Sequence, residues 1–502
     1  MKYLIGLDLG TTNIKAVLFD TDGNELVVRN KPTKLIPSNG NWSEQDMNEV
    51  WSASVECIKG VVDSGVAWPD DILAIGFSGQ GEGYWAIDAD GNPVKLASLW
   101  NDGRAASSIA ALSPEQVALY TRTVGSNPGV SNSMMQLKWY KDNAPEYLEK
   151  AAHAFHAKDW VRYKLTGEAH SEVTDCSVSQ LNILNQEVAQ NVYDALGIGE
   201  CSKLYGKPLN SFDLAGHITA EAAKLTGLKE GTPVAAGALD VTITCVGVGA
   251  VNPGDVYAIL GTTCCTGIVL DPSDVDITKK EQCVVSHPQK GLNLDIRATM
   301  AGTPNLDWVL AQISDTKDFA EIEKNMAAIP AGCEGLIYHP YLTESGERYP
   351  FYNPNARASF FGISKKTTRW HMVKAVYEGI AFMIKDCLDG FDKPGRISLT
   401  GGGAKSAVWA QIIADVTGRE TVTYEGSEFG CKGAAILAGV CCGQYSDIVE
   451  AAGKLCKVKQ SFKPNPENVK VYNELYKLFR AIRINYMDLW DLRADILKTI
   501  EK

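Results

Sequence analysis

The feature that most constrains this chain is a Gly-Thr-Thr turn that occurs twice, each time directly after an apolar, strand-like run. The two copies lie about 250 residues apart and consist of Gly10, Thr11 and Thr12, and of Gly261, Thr262 and Thr263. A strand-like run also follows each turn, so each copy predicts a β-hairpin whose tip offers backbone amides and hydroxyls to an anion. Two copies at half-chain spacing predict two similar domains that face each other across a cleft, where each would hold one end of a polyphosphate.

Length and composition set the limits of this prediction. The chain has 502 residues, of which 45% are hydrophobic, and this is enough for two domains with large cores. We place the boundary between residues 249 and 250, just before the second hairpin. The net charge of -12 comes without any long run of lysine and arginine. Nucleic acids and anionic membranes are therefore not expected as partners, because both are bound by basic surfaces.

Cysteine usage and the N-terminal sequence predict a cytoplasmic location. The 13 cysteines include no C-x-x-C motif, which is typical of reduced thiols and argues against a disulfide framework or a zinc site. Met1 is followed almost at once by the first strand-like run, which leaves no room for a signal peptide. The longest apolar stretch, residues 234–251, is rich in Gly and Ala and contains Asp240, so a membrane span is not expected.

Hydrophobic periodicity predicts an α/β fold in both halves of the chain. Leu4–Leu9 and Lys15–Phe19 have strand-like patterns on either side of the first turn, whereas Asp46–Val62 has apolar residues at helical spacing. In the second half, a predicted helix over Thr368–Cys387 is followed by a predicted strand over Ile397–Thr400. Strands that alternate with helices in this way are typical of the α/β class.

Asp8 and Asp240 are the candidate catalytic carboxylates. Asp8 lies just before the first turn, where a carboxylate could hold Mg²⁺ through water or could simply accept hydrogen bonds from turn amides. Asp240 is the only charged side chain between residues 234 and 254, where a buried charge is costly unless it is paired or solvated. An aspartate at this position could cap the following helix, accept the proton of an attacking hydroxyl, or do both.

Two further segments have the composition of ligand-binding sites. Gly401–Gly403 lies between a predicted strand and a helix, where glycines allow a ligand to approach the backbone, although a tight turn explains them equally well. The second segment has a plain explanation, which is a surface salt bridge between Asp102 and Arg104 with buried tryptophans nearby. Its polar and aromatic groups also suit a polyol site, and they are Gln80, Glu82, Trp100, Asp102 and Arg104.

In their order along the chain, these motifs resemble those of the FGGY family of carbohydrate kinases. The resemblance extends over almost the whole chain and includes the segments Asp8–Thr12, Trp42–Asp46, Trp100–Arg104, Gly261–Thr263 and Gly401–Gly403. It implies two actin-like, ribonuclease-H-like ATPase domains with a catalytic cleft between them. The N-terminal domain, residues 1–249, would then bind the sugar, and the C-terminal domain, residues 250–502, would bind the nucleotide.

The resemblance also implies a role for each matching residue. Asp240 matches the general base that deprotonates the acceptor hydroxyl, and Asp8, together with Asp240, would hold Mg²⁺. The residues implied in binding ATP and its phosphates are Gly10, Thr11, Thr12, Asn13, Lys15, Gly261, Thr262, Thr263, Gly401, Gly402, Gly403 and Ser406. The residues implied on the sugar side are Gln80, Glu82, Trp100, Asp102 and Arg104.

The segment Gly79–Trp85 narrows the expected substrate. Its glycine-rich sequence resembles the erythritol and L-xylulose kinases rather than glycerol kinases, which carry Arg-Glu after the glutamine, or xylulokinases, which carry Met-His. The expected substrate is a tetritol, a pentitol or a ketopentose such as erythritol or xylulose, with ATP and Mg²⁺ as cofactors. A homodimer is expected on general grounds. The alternatives are an actin-like ATPase or assembly protein without a sugar substrate, and a catalytically inactive sugar-binding regulator.

Overall fold

The computed structural model describes residues 1–38, 40–278, 282–314, 316, 318–391 and 395–500. The chain divides into two units. The first comprises Met1–Pro253, Val269–Asp295 and Gly426–Lys457, and the second comprises Gly254–Ile268, Ile296–Glu425 and the chain from Val458 onward. Each unit therefore combines segments that are distant in the sequence.

β-Strands occur along the whole chain. Those in the first half are β1 (Tyr3–Leu9), β2 (Asn13–Asp20), β3 (Glu25–Pro32), β4 (Ile36–Ser38), β5 (Trp42–Gln45), β6 (Ile72–Gly79), β7 (Trp85–Ile87), β8 (Ala97–Ser98), β9 (His153–Phe155), β10 (Leu214–His217), β11 (Pro233–Ala235) and β12 (Ala238–Leu239). Those in the second half are β13 (Val256–Leu260), β14 (Cys264–Leu270), β15 (Val284–Ser286), β16 (Asn293–Ala298), β17 (Ile337–His339), β18 (Ser359–Phe361), β19 (Ile397–Thr400), β20 (Thr421–Tyr424) and β21 (Val458–Phe462).

Helices alternate with these strands. Those in the first half are α1 (Met47–Val62), α2 (Ala106–Ala110), α3 (Pro114–Val124), α4 (Ser133–Asn143), α5 (Glu146–Glu149), α6 (Ala157–Thr166), α7 (Val173–Cys176), α8 (Gln190–Ala195), α9 (Ala220–Thr226) and α10 (Asp240–Gly247). Those in the second half are α11 (Pro304–Ile313), α12 (Phe319–Ala327), α13 (Arg369–Leu388), α14 (Ala407–Thr417), α15 (Phe429–Cys441), α16 (Ile448–Leu455) and α17 (Pro466–Ile500).

The main sheet of the first unit is built around the predicted hairpin. Its strands follow the order β10-β11-β6-β1-β2-β3, and β12 also pairs with β6. β1 and β2 are antiparallel, with Leu9 opposite Ile14 beside the turn, so the hairpin prediction is confirmed. β6, in contrast, runs parallel to β1, β11 and β12. The carboxyl ends of these parallel strands therefore lie at the same end of the sheet.

Two helices pack closely on this sheet. The predicted helix over Asp46–Val62 is confirmed as α1, which Asp46 caps by accepting the amide hydrogen of Asn48 at 2.8 Å. Helix α15 approaches β1 and β6 at two glycines. A Cβ atom on Gly6 would lie 1.9 Å from the carbonyl oxygen of Cys431, and one on Gly76 would lie 2.0 Å from a carbonyl oxygen of the same helix. Only glycine leaves room for a helix backbone this close to a strand.

The second unit repeats this topology. β13 and β14 form an antiparallel hairpin, and β13 runs parallel to β19, which in turn runs parallel to β20. A hairpin whose first strand has a parallel neighbour is thus common to both units, as the repeated Gly-Thr-Thr turn predicted. The predicted strand Ile397–Thr400 and the predicted helix over Thr368–Cys387 are confirmed as β19 and α13. The α/β class is therefore confirmed in both units.

The sequence also predicted reduced cysteines and no membrane-spanning segment. All 13 cysteines lie among the described residues, and no disulfide bond joins any of them. Among the described residues, no helix combines the length and the apolar composition that crossing a bilayer requires.

Candidate functional site

Three parallel strands of the first unit end side by side. Leu9 of β1 and Leu239 of β12 both pair with Gly79 of β6, each in its own parallel ladder. The residues that directly follow these three are Gly10, Asp240 and Gln80. In α/β sheets, ligands bind outside the carboxyl ends of parallel strands. The register therefore places three of the predicted site residues at one candidate binding point.

Asp8 lies on β1, two residues before Gly10. Its carboxylate accepts a hydrogen bond from Ser78 Oγ at 2.6 Å. Burial raises the pKa of Asp8, while the bond from Ser78 and the positive charge of Lys15 oppose that rise. A Cβ atom on Gly430, in the first turn of α15, would lie 3.5 Å from Asp8 Cγ. The N-terminal turn of α15, whose amides carry partial positive charge, is therefore close to the carboxylate.

Asp240 is the first residue of α10 and directly follows β12. Its carboxylate accepts the amide hydrogen of Val241 at 2.6 Å, whereas Leu239 occupies the cap position itself. Burial raises the pKa of Asp240 to about 7, and the negative charges of Asp8 and Asp175 act in the same direction. A carboxyl group with this pKa gains and loses a proton near neutral pH, as a general base must.

A chain of polar side chains connects the first turn with the predicted sugar side. Thr11 Oγ1 donates to Gln80 Oε1 at 2.9 Å, and Gln80 Nε2 donates to Gln45 Oε1 at 2.9 Å. Gln45 Nε2 donates back to the carbonyl oxygen of Thr11 at 3.1 Å. Trp100 Nε1 donates to Thr11 Oγ1 at 3.0 Å, and Trp100 is 44% exposed. An exposed indole and several amide and hydroxyl groups therefore surround the end of β1.

The other residues of the first turn are held by backbone bonds and by an ion pair. The Gly10 amide donates to the carbonyl oxygen of Asn13 at 3.1 Å, and the carbonyl oxygen of Thr12 accepts a backbone amide at 3.0 Å. Lys15, on β2, forms an ion pair with Glu428 at 2.8 Å. Contact between these residues and a nucleotide phosphate stays a prediction.

The carboxylate of Glu82 contacts the start of helix α4. It accepts the amide hydrogen of Ser133 at 2.5 Å and a side-chain N–H of Asn132 at 3.3 Å. Only 6% of Glu82 is exposed, and burial raises the pKa of Glu82 to about 7. Glu82 therefore satisfies an otherwise unpaired amide at a helix N-terminus. Its predicted contact with a sugar stays a prediction.

Asp102 and Arg104 form a buried ion pair. Arg104 Nε lies 2.8 Å from Asp102 Oδ1, and Arg104 Nη2 lies 2.8 Å from Glu44 Oε1. The guanidinium carbon of Arg104 lies 4.3 Å from the ring centroid of Trp42. Asp102 is fully buried and Arg104 is 4% exposed. The salt bridge that the sequence offered as an alternative is present, inside the unit rather than on its surface, and direct sugar binding by this pair stays a prediction.

A set of five buried charged side chains, which sequence reasoning did not identify, contacts the loop after β6. We term it the charge cluster, and its members are Lys158, Asp159, Arg162, Glu172 and Asp175, each 0% exposed. Lys158 Nζ bonds the carboxylate of Asp175 and lies 3.1 Å from Asp159 Oδ1. A Cβ atom on Gly81 would lie 2.6 Å from Asp175 Oδ1, so the cluster contacts the loop that carries Gln80.

The charge cluster is an ion-pair network rather than a metal site. Ligand atoms of His156, Asp159 and Asp175 lie close enough together to hold a metal ion. However, Arg162 Nη1 lies 2.9 Å from Asp159 Oδ1, and Lys158 already bonds both carboxylates. The only signal in the sequence is the close spacing of Lys158, Asp159 and Arg162. Charged residues spaced in this way are far more often typical of a solvated helix face.

The second Gly-Thr-Thr turn packs against the segment before α11. The Thr303 amide donates to the carbonyl oxygen of Gly261 at 2.8 Å. A Cβ atom on Gly302 would lie 2.4 Å from the carbonyl oxygen of Thr262, so only glycine fits beneath the turn. Thr262 and Thr263 are exposed at its tip. Both threonines are therefore accessible from solvent, and their contact with a phosphate stays a prediction.

The glycine-rich segment directly adjoins this second turn. Gly401 has a φ of 88°, and a Cβ atom there would lie 2.6 Å from the carbonyl oxygen of Leu260, the residue before the turn. Ser406 caps α14, because its Oγ accepts the amide hydrogen of Trp409 at 3.0 Å. The same hydroxyl donates to Glu323 Oε1 at 2.5 Å. The glycine-rich segment thus connects the end of β19 to α14, which Ser406 caps.

A cavity of about 460 Å³ opens beside this segment within the second unit. Its lining combines Gly402, Gly403 and Ser406 with apolar and aromatic side chains, among them Leu306, Phe319, Tyr377 and Trp409. A cavity of this size with an aromatic lining and a few polar groups suits a planar heterocyclic ligand.

The structure thus sorts the predicted residues into three groups. In the first unit, it brings together Asp8, Gly10, Thr11, Gln80, Trp100 and Asp240. In the second unit, it brings Gly261–Thr263 together with Gly401–Gly403 and Ser406. The third group is engaged in internal contacts and consists of Thr12, Asn13, Lys15, Glu82, Asp102 and Arg104. Gln45, which lies in the matching segment Trp42–Asp46 but was assigned no role, is an additional residue of the first group. The charge cluster is the other addition.

Two family models match this chain, and together they cover most of it. Residues 3–247 match the N-terminal domain of the FGGY family of carbohydrate kinases, and residues 256–442 match the C-terminal domain of the same family. A xylulose kinase from Staphylococcus epidermidis is 31% identical over 504 residues, which cover 99% of each chain. An erythritol kinase from Brucella abortus is 28% identical and covers 98% of each chain. The solved xylulose kinase from Lactobacillus acidophilus has a TM-score of 0.87 at 26% identity, and the match covers 97% of this chain and 98% of that one.

Proposed function

Because this chain belongs to the FGGY family of carbohydrate kinases, we propose that it transfers the γ-phosphoryl group of ATP to a terminal hydroxyl of a small open-chain sugar or polyol. The observation that carries the proposal is the convergence of Asp8, Gln80 and Asp240 at the ends of three parallel strands. This set combines a cation ligand, a group that hydrogen-bonds hydroxyls and a base, which are the parts that phosphoryl transfer to an alcohol requires.

Asp240 is the proposed general base. Phosphoryl transfer depends mainly on positioned phosphates and an oriented nucleophile, so the protein has to place the acceptor hydroxyl and remove its proton. Asp240 takes that proton as the hydroxyl oxygen forms its bond to phosphorus and the bond from phosphorus to ADP breaks. The raised pKa of about 7 supports this role, because the proton can be accepted and returned near neutral pH.

Asp8 and Asp240 are the proposed magnesium ligands. Both present carboxylate oxygens, which Mg²⁺ prefers, and the charge of Asp8 raises the pKa of Asp240, an unfavourable interaction that a cation would relieve. When bound, Mg²⁺ neutralises charge on the phosphates of ATP. The residues that we propose to bind ATP are Gly10, Thr11, Thr12, Asn13, Lys15, Gly261, Thr262, Thr263, Gly401, Gly402, Gly403 and Ser406, with the adenine in the 460 Å³ cavity.

We propose an uncharged tetritol, pentitol or ketopentose as the substrate. Lys15 and Arg104 are each paired with carboxylates, and so is Lys158 of the charge cluster. Asp8 and Asp240, in contrast, add negative charge at the strand ends. A substrate carboxylate would therefore meet repulsion, because these three cations already have carboxylate partners. The names of the relatives, xylulose kinase and erythritol kinase, support the same class.

The test compares each polyol with the aldonic acid of the same carbon skeleton. ADP release is measured with erythritol and erythronate, ribitol and ribonate, and xylitol and xylonate, with D- and L-xylulose added to the panel. Like-charge repulsion of several kcal/mol predicts that kcat/KM for the best neutral compound exceeds that of its acid by about 10²-fold or more. A preferred acid would contradict the uncharged substrate and leave the kinase proposal intact, whereas no sugar-dependent release would contradict the kinase proposal.

Turnover is expected to fall at acidic pH. Asp240 must be ionised to accept a proton, and burial raises its pKa to about 7. The value of kcat/KM should therefore decrease about tenfold per pH unit below this pKa and reach a plateau above it. A nearby cation lowers the pKa of a carboxyl group, so more Mg²⁺ should move the midpoint to lower pH. A pH profile at two Mg²⁺ concentrations checks this, and a flat profile would contradict the assignment.

Three further expectations stay predictions. They are the domain boundary between residues 249 and 250, assembly into a homodimer and a cytoplasmic location. Light scattering on the purified protein tests the second of these, because a dimer has twice the mass of the 54.4 kDa chain.

A further inference from the structure

Thr174 connects the charge cluster to the strand that precedes Asp240. Its hydroxyl accepts the amide hydrogen of Leu239 at 2.9 Å and donates to Glu172 Oε2 at 2.7 Å. Thr174 and Glu172 are both 0% exposed. Leu239 directly precedes Asp240, so the hydroxyl of Thr174 holds the backbone next to the proposed base.

Glu172 is itself held in place from several directions. Its Oε1 accepts hydrogen bonds from Ser211 Oγ at 2.6 Å and from the amide of Thr174 at 2.9 Å. Lys158 Nζ lies 3.4 Å from Oε2. A carboxylate with these partners cannot turn away without leaving a charge buried and unpaired, which is strongly unfavourable. Glu172, which accepts the hydrogen bond from the Thr174 hydroxyl, is therefore held in one position.

The backbone just before Leu239 is fixed by the same surroundings. Arg162 Nη1 donates to the carbonyl oxygen of Ala236 at 2.5 Å. The Gly237 amide donates to the carbonyl oxygen of Ser211 at 2.9 Å. Gly237 has a φ of 82°, and a Cβ atom there would lie 2.5 Å from the carbonyl oxygen of Phe77 on β6. The segment is thus held between β6 on one side and the charge cluster and its neighbours on the other.

We propose that Thr174 is a positioning residue for phosphoryl transfer. Through its hydrogen bond to the Leu239 amide, Thr174 orients Asp240 toward the acceptor hydroxyl. This inference rests on the proposed function, because it requires Asp240 to be the base. Thr174 acts through the backbone and touches neither substrate nor nucleotide in this scheme. A misplacement of the reacting group by about 1 Å can lower the rate by about 10²-fold, so a single hydroxyl at this position has a measurable effect.

The test replaces the hydroxyl without changing the shape of the side chain. Thr174→Val should lower kcat by about 10- to 100-fold at saturating ATP and sugar. The KM for ATP should be nearly unchanged, because the hydroxyl of Thr174 bonds Leu239 and Glu172, neither of which is proposed to bind the nucleotide. Thr174→Ser restores the hydroxyl and should return kcat to within about threefold of the wild-type value. The split between kcat and KM, together with the rescue by serine, separates positioning from a general loss of structure.

Thr226 offers a matched control in the same unit. It is also 0% exposed, and its hydroxyl donates to the carbonyl oxygen of Ala222 at 2.7 Å and accepts the amide hydrogen of Leu228 at 3.3 Å. Thr226→Val therefore removes the same two kinds of hydrogen bond at the end of α9. Its kcat should equal that of the wild type. Equal losses of kcat in the two valine variants would show a structural effect only and would overturn the proposal.

The remaining outcomes are equally decisive. Wild-type kcat in Thr174→Val, or a Thr174→Ser variant as impaired as the valine variant, would overturn the positioning role. If Thr174→Val does not fold, Ser211→Ala replaces it, because this change removes one donor from Glu172. It should lower kcat by roughly 3- to 10-fold, and an unchanged kcat would overturn the role. A wild-type protein without sugar-dependent ADP release would instead overturn the proposed function, and this role with it.

Discussion

Replacing Asp240 with asparagine is expected to lower kcat by about 10²- to 10⁴-fold, the usual effect of removing a general base. Asparagine has nearly the same shape and retains an oxygen that can accept the Val241 amide hydrogen, now bonded at 2.6 Å. It cannot accept the proton of the attacking hydroxyl. The fold and the affinity for ATP should therefore be retained. Initial rates of ADP formation at saturating ATP and sugar, with nucleotide binding by calorimetry, measure both parts of the prediction.

The stability of the same variant gives an independent check. The pKa of Asp240 rises from 3.8 to about 7 on folding, so the folded state binds this proton more tightly than the unfolded state. The contribution of Asp240 to stability should consequently decrease as the pH rises from about 4 to about 7. Asp240→Asn lacks this titration and should be at least as stable as the wild type at alkaline pH. The difference in melting temperature between the wild type and Asp240→Asn, measured on both sides of this pH window, tests the sign of the effect. Near-normal turnover in the variant would remove Asp240 from the mechanism.

Replacing Lys158 with methionine is expected to destabilise the first unit by about 3–5 kcal/mol. Burial alone would lower the pKa of Lys158, but the carboxylates of Asp159, Asp175 and Glu172 raise it above its usual range. The ammonium group therefore contributes its full stabilisation below a pH of about 10.5, the ordinary pKa of lysine, and loses it as the pH rises further. Methionine has a similar volume but leaves buried carboxylates without their cation. Chemical denaturation near neutral pH measures the loss.

Lys59→Met is the matched control for this prediction. Lys59 forms an ion pair with Asp63 at 3.2 Å, but its side chain is 53% exposed. Exposed pairs of this kind contribute little to stability, so the denaturation midpoint should hardly change. Equal effects of the two substitutions would contradict the assignment of the charge cluster as a stabilising network.

Local sequence patterns predicted the parts of this molecule that depend on short-range chemistry. The two Gly-Thr-Thr hairpins follow from apolar runs and turn residues, and both are present. Helix α1 follows from the apolar residues at helical spacing over Asp46–Val62. Asp240 could be identified because a charge in an apolar segment is costly unless it is paired or solvated. The structure places Asp240 directly after β12. None of these inferences required knowledge of distant contacts.

Residues whose partners lie far away in the sequence could not be assigned in this way. Asp102 and Arg104 have the side chains of a polyol site, but their burial against Glu44 and Trp42 depends on how the chain folds back on itself. The charge cluster joins α6 to α7 and to a loop after β6, and its charges on a helix resemble an exposed face. Burial of a charge is decided by tertiary contacts, which periodicity does not report.

The most direct measurement follows ADP and sugar phosphate in one reaction of the wild-type protein with ATP, Mg²⁺ and its best neutral substrate. A kinase predicts no ADP above background without the sugar, and one phosphate ester on a terminal hydroxyl for each ADP formed when the sugar is present. ADP formation that is indifferent to every sugar, with no phosphate ester detected, would contradict phosphoryl transfer to a polyol and favour an actin-like ATPase.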